Sequence, residues 1–288
     1  MHSFEWVEPK TMSEALDSLS LEDPNVRMVS GGTALMLMMK SGVFTPTKLV
    51  NLRSVQGFSE ISVKDQHLCI GSLTSLAEIE HSTLVAKELP VLKDVMKKLS
   101  NVRVRNVARL GGALSHGDPH MDLPPLLSCL DASVCIQSKD SSRVMQVQDL
   151  YLGYYETALE KNELITEVLI PLKPKRHSVY LKCTTRSADD WPALGVAVDL
   201  LSNKNTIEDV RIVLGAVCEV PTTLSLTQNF LKNKLINDAV LDEAAKIALT
   251  EISPISDELG SSEYKLHLVS IYVKRAIQAL MNKGAKNE

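Results

Sequence analysis

Apolar residues recur along this chain at two different spacings, which predict a mixture of helices and strands. Near the amino terminus, Thr11 and Glu14 have the spacing of a capping box and open a predicted short helix. A strand, a helix and a second strand are then predicted over residues 26–30, 34–40 and 48–52. These three elements predict a compact β-turn-α-β unit.

The middle of the chain repeats this alternation with different detail. Thr74 or Ser75 caps a predicted helix, Pro90 begins another, and the pair Pro124-Pro125 begins a third. Strands are predicted over residues 68–71, 133–137, 143–147 and 164–170.

Prolines and basic residues interrupt the pattern at residues 171–177 and predict a domain boundary there. Beyond it, strands are predicted over 179–185, 193–201 and 206–217, with residues 202–205 as the hairpin turn between the last two. Helices are predicted over 224–233, 238–251 and 262–283. The whole pattern predicts an α+β protein.

Composition narrows the function classes. The chain has 288 residues, of which 44% are hydrophobic and 23% charged, as in ordinary globular proteins. A net charge of −4 offers no basic surface for nucleic acid. No apolar run approaches the ~20 residues of a membrane span. Because the amino terminus shows no basic segment followed by an apolar run, we expect a cytoplasmic protein.

The five cysteines are an odd set without CxxC spacing. They predict neither a disulfide framework nor an iron–sulfur cluster held by this chain alone. We expect Cys129 and Cys135 to lie near the functional site without acting in it.

Two glycine turns carry the clearest sign of a ligand. The first, Ser30-Gly31-Gly32-Thr33, follows a predicted strand, and the second is centred on Gly111-Gly112. Glycine lacks a Cβ and adopts positive φ, so such turns direct several backbone N–H groups at one anion. We predict that the amides of residues 30–34 and 111–114 bind a dinucleotide, helped by the hydroxyls of Thr33 and Ser115. No P-loop lysine and no GxGxxG motif accompanies them, which disfavours an NTPase and a Rossmann fold.

The polar residues after the second turn allow further interpretations. Asp122 either accepts a hydroxyl from a ribose or ribityl chain or caps the helix that follows it. His116, Asp118, His120 and Asp122 stand at alternate positions, so on an extended segment they would share one face and bind Zn²⁺, as in a metallohydrolase. Pro119 and the otherwise unexplained glycine turns count against that alternative.

As a set, these motifs resemble the FAD-binding subunit of the molybdenum hydroxylases, the family of xanthine dehydrogenase and aerobic carbon monoxide dehydrogenase. Residues 29–33 (VSGGT) with Leu35 resemble the first phosphate loop of the family, and residues 105–112 (RNVARLGG) resemble the second. Gly117-Asp118-Pro119 with Asp122 is most similar to the medium subunit of carbon monoxide dehydrogenase. Tyr264-Lys265 and residues 274–276 extend the resemblance over essentially the whole chain.

The resemblance implies a two-lobed FAD-binding domain of the p-cresol methylhydroxylase type over residues 1–175, with lobes at 1–55 and 56–175. A small C-terminal domain of antiparallel sheet and helices follows over 178–288. The resemblance also implies FAD as cofactor and no metal site in this chain. The implied partners are an iron–sulfur subunit with two [2Fe-2S] clusters and a large subunit with the molybdenum cofactor, in a dimer of heterotrimers that can meet the inner membrane face.

The implied cofactor contacts lie in both loops and beyond them. They are Val29, Ser30, Gly31, Gly32, Thr33, Ala34 and Leu35; Leu110, Gly111, Gly112, Ala113, Leu114 and Ser115; and Asp118, Asp122, Ile165, Lys182, Asp190 and Trp191. Lys182 would approach the pyrimidine end of the flavin, where positive charge stabilises the reduced anion. The loop with Asp190 and Trp191 would flank the isoalloxazine, and Ile165 would contact adenine. Ordinary packing or surface positions are the alternative for these four residues.

The implied function is that of an oxidoreductase subunit without a catalytic residue of its own, passing electrons from the partner's clusters through FAD to an external acceptor. Where the family usually has Asn, this chain has Ala113, which removes a side-chain contact to the phosphate region. A flavin-free assembly subunit is therefore a further alternative.

Overall fold

The computed structural model describes residues 3–19 and 22–284 and divides into two compact units. Of the described residues, unit 1 comprises 3–19, 22–116, 133–150 and 156–170, and unit 2 comprises 117–132, 151–155 and 171–284. The amino-terminal segment on which the expectation of a cytoplasmic protein was based begins with Met1 and His2, which lie outside the described residues. The predicted domain bounds at 175 and 178 stay a prediction.

Unit 1 begins with a three-stranded parallel sheet in which β3 lies between β1 and β2. Its elements are β1 (Glu5–Val7), α1 (Met12–Asp17), β2 (Val26–Val29), α2 (Leu35–Lys40) and β3 (Lys48–Asn51), followed by a one-turn helix at Leu52–Ser54. The Thr11 side chain caps α1 as predicted. The reciprocal half of the capping box is wrong, because the Glu14 carboxylate accepts the backbone N–H of Lys10 (2.7 Å) instead.

The second sheet of unit 1 has the strand order β4-β5-β10-β6-β7. Its strands are β4 (Ile61–Lys64), β5 (His67–Gly71), β6 (Ser133–Gln137), β7 (Ser142–Gln146) and β10 (Leu164–Pro171), and two short strands, β8 (Tyr151–Gly153) and β9 (Glu156–Thr157), precede β10 in the chain. Apolar side chains on β5, β6 and β10 are fully buried. They make this sheet a wall of the unit's core.

Five short helices lie between β5 and the end of the first segment of unit 1. They are α3 (Leu76–His81), α4 (Thr83–Glu88), α5 (Pro90–Met96), α6 (Val102–Val107) and α7 (Leu110–Ser115). Ser75 and Glu78 form a complete capping box at the start of α3. The sequence pattern did not predict α4, α6 or α7, because a six-residue helix is too short to show a 3.6-residue period.

The described residues of unit 2 form a four-stranded antiparallel sheet with four helices. Its elements are α8 (Leu123–Cys129), β11 (His177–Thr184), β12 (Pro192–Asn203), β13 (Thr206–Gly215), β14 (Thr222–Thr223), α9 (Ser225–Leu231), α10 (Asp238–Thr250) and α11 (Ser262–Gly284). Helix α11 packs on β11 and β12, while α8 packs on β12 and β13. Val196, Ile212 and Val273 are among the fully buried residues of the shared core.

The predicted hairpin is confirmed, with Asn203 opposite Thr206 and Lys204 at φ +53°. The strand predicted to reach residue 217 ends earlier, because Ala216 has φ +65° and donates its N–H to the Pro119 carbonyl. The α+β fold class is confirmed. Among the described residues, every helix is either too short or too polar to cross a bilayer.

Candidate functional site

The first glycine turn lies in unit 1 between β2 and α2. Gly32 has φ +70°, as expected of a glycine turn. Gly31 is required for another reason, since a Cβ there would lie 2.5 Å from the Val107 carbonyl oxygen. Within the described part of the chain, the N–H groups of residues 31–34 donate to no other residue. They are therefore available to an anion.

The second glycine segment begins a helix and is not a positive-φ turn. Gly111 and Gly112 lie in the first turn of α7, so the expectation of left-handed φ is wrong for both. Close approach explains the two glycines instead. A Cβ on Gly111 would lie 2.7 Å from Cβ of Ser72, and one on Gly112 would lie 2.9 Å from Oγ of Ser30.

The amides of this second segment are partly used within the protein. The Gly111 N–H donates to the Ser72 carbonyl (2.8 Å), and the Ala113 N–H donates to the Arg109 carbonyl (2.9 Å). The Ser115 hydroxyl donates to the Gly111 carbonyl (2.8 Å). The prediction that all three groups face a ligand is therefore wrong, whereas the Gly112 N–H has no acceptor among the described residues.

The two glycine segments adjoin each other in unit 1. Gly112 faces the Ser30 hydroxyl, and Gly31 lies against the backbone of Val107 and Ala108. The free amides of residues 31–34 and of Gly112 thus lie close together, and we call this group the cradle. A Cβ at position 112 would reduce the space between its two segments. Free backbone amides brought together in this way can bind a phosphate group, so the residues present fit the pyrophosphate of FAD.

Asp122 in unit 2 does not cap α8. It occupies the N-cap position in a helical conformation and makes no capping hydrogen bond. Its carboxylate accepts the Tyr180 hydroxyl (2.9 Å) and Nζ of Lys182 (3.2 Å). Burial raises the pKa of Asp122, and the Lys182 charge and the Tyr180 hydroxyl act in the opposite direction. The capping alternative is therefore wrong.

Lys182 is not a solvated strand lysine. Its side chain is 6% exposed, and its Nζ also donates to the Asp190 carbonyl (2.9 Å). Through this bond the lysine ties β11 to the loop that carries Asp190 and Trp191. Ile165 is buried on β10 in unit 1.

A second polar network in unit 2 surrounds His120. Asp118 accepts the His120 backbone N–H (2.8 Å) and the Tyr155 hydroxyl (2.7 Å), and its carboxylate also contacts Nδ1 of His120 at 2.9 Å. On the other side of the ring, Nε2 of His120 lies 3.0 Å from Oδ2 of Asp257. Lys265, fully buried, bonds to that same Asp257 oxygen. Asp118 is thus engaged within the protein.

Sequence reasoning missed Tyr155, Tyr180 and Asp257. Each meets its partner across a long stretch of chain, and His120 and Asp257 are 137 positions apart. No local pattern encodes such contacts. Only the pair Tyr264-Lys265, noted within the resemblance, pointed toward this part of the network.

The metallohydrolase alternative is not supported. His120 and Asp122 have separate sets of partners instead of one shared face. Within residues 3–19 and 22–284, no group of three or more His, Cys, Asp or Glu side chains is arranged to hold a metal ion. The five cysteines are free thiols, and burial raises the pKa of Cys129 strongly.

The chain matches the models of two known families. Residues 2–173 match the FAD binding domain in molybdopterin dehydrogenase, and residues 179–280 match the CO dehydrogenase flavoprotein C-terminal domain. The chain therefore belongs to the FAD-binding flavoproteins of the molybdopterin dehydrogenases, as the resemblance indicated.

Individual relatives agree with this membership. The chain is 29% identical over 276 residues to the glyceraldehyde dehydrogenase medium chain of Sulfolobus acidocaldarius, covering 96% of this chain and 97% of that one. It is 27% identical over 276 residues to the carbon monoxide dehydrogenase medium chain of Afipia carboxidovorans, covering 96% of each.

Solved structures show the same likeness. CO dehydrogenase from Oligotropha carboxidovorans has a TM-score of 0.93 at 27% identity, and quinoline 2-oxidoreductase from Pseudomonas putida 86 has 0.93 at 29%, each covering 98% of both chains. The predicted family, the FAD cofactor and the oxidoreductase class are thus confirmed. Apart from the donor roles of Gly111, Ala113 and Ser115, the individual cofactor contacts stay predictions.

Proposed function

We propose that this chain is the electron-transfer subunit of a three-subunit molybdenum hydroxylase. It would receive electrons from the [2Fe-2S] clusters of an iron–sulfur subunit and deliver them to an external acceptor. FAD supplies the redox chemistry, because it exchanges electrons singly or in pairs. The observation that carries the proposal is the cradle of free amides where the two glycine segments adjoin in unit 1.

In this proposal the protein's own groups bind and orient the cofactor. The N–H groups of residues 31–34 and of Gly112 bind the pyrophosphate, with the Thr33 hydroxyl as an additional donor. Ala113 contributes packing only, since its amide is donated within α7. Free backbone amides supply the main attraction, so the lost Asn side chain weakens binding without abolishing it. Ile165 is proposed to contact adenine.

Lys182 is proposed to hold positive charge at the pyrimidine end of the flavin. Asp122 and the Asp190 carbonyl fix its ammonium group within unit 2. We therefore assign Asp122 a role through Lys182, in place of a direct bond to a ribityl or ribose hydroxyl. The neighbouring Trp191 is proposed to cover the ring.

The partners are proposed from the relatives. Carbon monoxide dehydrogenase and glyceraldehyde dehydrogenase relatives are named as medium chains, which implies smaller and larger companions. We propose an iron–sulfur subunit with two [2Fe-2S] clusters, a molybdenum-cofactor large subunit and a dimer of such heterotrimers. Free thiols at all five cysteines favour a reducing cytoplasm, from which the complex can reach the inner membrane face.

The test of the cradle is the variant Gly112→Glu. A carboxylate projecting toward Ser30 places a negative charge where the phosphates bind, so the purified chain is expected to lose its FAD absorbance. Val43→Glu is the matched control, because it adds the same charge at an exposed position that is not a glycine. Circular dichroism checks that both variants fold. Stoichiometric FAD in folded Gly112→Glu would contradict the assignment.

The electron route has its own test. The isolated chain should stay oxidised when mixed with candidate hydroxylase substrates, because reduction requires the partner subunits. Acid precipitation should leave the flavin in solution, as expected for noncovalent binding. Bleaching of the flavin by substrate without partners would contradict the three-subunit proposal.

A further inference from the structure

The His120 ring is held by carboxylates at both of its nitrogens. Nδ1 lies 2.9 Å from Asp118, and Nε2 lies 3.0 Å from Asp257. A neutral imidazole carries one N–H and can donate to only one of these acceptors. Both bonds are made when the ring is protonated on both nitrogens. The geometry therefore favours the imidazolium form.

The charged groups around the ring also favour the imidazolium form. Asp118 contacts it from the loop before α8, and Asp257 contacts it from the loop before α11. Lys265 of α11 bonds to Asp257 and to the Ala216 carbonyl (2.7 Å), and the Tyr155 hydroxyl donates to Asp118. The two carboxylates that contact the ring are thus accompanied by Lys265, and Glu258 adds a further negative charge near Tyr154, so a positive charge on the imidazole is electrostatically favourable.

The pKa shifts agree with this balance. Burial alone would lower the pKa of His120, but its bonds to Asp118 and Asp257 outweigh burial and raise it. Burial acts to raise the pKa of each aspartate, yet hydrogen bonds from His120, Tyr155 and Lys265 lower both.

The indole ring of Trp191 stacks on the imidazole ring of His120. Trp191 stacks on His120 with a ring-centroid distance of 5.9 Å and an interplanar angle of 12°. Tyr154 meets the same imidazole edge-on, at 6.5 Å and 75°. Trp191 is 48% exposed, and the imidazole is the ring on which it stacks. A cation over the face of an indole is an attractive pair.

We propose that His120 is a positioning residue: held as an imidazolium between Asp118 and Asp257, it fixes the Trp191 indole by cation–π stacking. The consequence for the flavin rests on the proposed function, which places this indole over the isoalloxazine. The stack itself is a property of unit 2 and is testable without FAD.

The chain has two tryptophans, so Trp6→Phe leaves Trp191 as the sole indole emitter. In the full chain freed of FAD, His120→Gln is expected to increase the emission intensity of Trp191, since imidazolium quenches indole emission. The same substitution should make Trp191 more accessible to acrylamide and so increase the quenching that acrylamide causes. His120→Arg restores a planar cation and should return acrylamide quenching toward that of the parent. His267→Gln, at an exposed position on α11, is the matched control and should change neither signal.

A pH titration of Trp191 emission tests the protonation state. Emission should rise as His120 loses its proton, with a midpoint above about 6.5, the ordinary pKa of histidine. Asp257→Asn should lower that midpoint. A step still incomplete at the highest pH at which the chain stays folded also supports the proposal, because it places the midpoint higher still.

The proposal fails if folded His120→Gln matches the parent in both emission and acrylamide quenching, or if the midpoint lies at or below about 6.5. A separate result addresses the proposed function. If Trp191→Ala leaves the visible spectrum of bound FAD unchanged, the indole does not cover the flavin, while the His120 stack stands on its own measurements.

Discussion

Replacing Asp122 with alanine tests the buried ion pair of unit 2. In the protein, the Asp122 carboxylate is the acceptor for Nζ of Lys182 (3.2 Å) and for the Tyr180 hydroxyl (2.9 Å). The substitution removes both acceptors at once. It leaves the Lys182 ammonium, on a side chain 6% exposed, with the Asp190 carbonyl as its remaining recorded partner.

The expected cost separates two interpretations of Asp122. Removing one partner of a buried ion pair strands the other charge and costs about 3–5 kcal/mol of unfolding free energy. Loss of a helix cap would cost about 1 kcal/mol. Since Asp122 makes no capping bond, we expect the larger value.

Urea unfolding of the FAD-free chain in the Trp6→Phe background is the assay, because the remaining Trp191 reports on unit 2. The double variant Asp122→Ala/Lys182→Met should recover much of the loss, since it removes the stranded charge. Asp242→Ala is the control: it breaks an exposed ion pair with Lys274 (2.7 Å) and should change the free energy of unfolding little.

The reasoning is refuted if Asp122→Ala costs no more than Asp242→Ala, or if the double variant is less stable than Asp122→Ala alone. Either result would mean that Lys182 carries no uncompensated charge in the single variant. Asp122 and Lys182 would then be uncharged, or their charges would be exposed to water.

Two further predictions concern other parts of the fold. Ser75→Ala removes the complete capping box of α3 and should destabilise the chain by about 1 kcal/mol in urea unfolding, whereas Ser41→Ala, which loses an exposed bond to the Met38 carbonyl, should have little effect. The pH dependence of thermal unfolding should have two limbs. Asp118 and Asp257 have lowered pKa values in the folded chain, so the stability that their ionised forms contribute is complete above about pH 3.9, the ordinary aspartate pKa. This stability is lost as pH falls through the folded pKa values. Because the pKa of His120 is raised, its protonated form stabilises the folded chain fully below about pH 6.5, and this stabilisation is lost as pH rises through the folded pKa. His120→Gln should therefore flatten the alkaline limb, and an unchanged limb would contradict this prediction.

The elements that sequence reasoning predicted well are those with local signals. Helices α10 and α11 are long enough to show their period, and Ser75 and Thr11 act as caps within their own turns. The hairpin between β12 and β13 has turn residues at its tip. In each case the residues that determine the element are neighbours in sequence.

The glycines were located correctly but partly for the wrong reason. Gly32 needs its positive φ, a local property. Gly31 and Gly111 need the absence of a Cβ because Val107 and Ser72 approach them from distant segments. Sequence shows that glycine is present and does not show which of these two constraints selects it.

The alternating polar residues after Gly117 show why the site required a structure. The metal alternative assumed an extended segment, where alternate side chains share a face. Gly117 has φ +73°, and the Met121 N–H donates to the Asp118 carbonyl (3.3 Å), so the chain turns here. Asp118 is thereby directed to His120 and Asp122 to Lys182. Two carboxylates only four positions apart thus hold different cations, one beneath Trp191 and one bonded to the Asp190 carbonyl of the same loop. Two separate ion pairs therefore fix this loop in unit 2, and each can be removed by substituting one aspartate while the other remains.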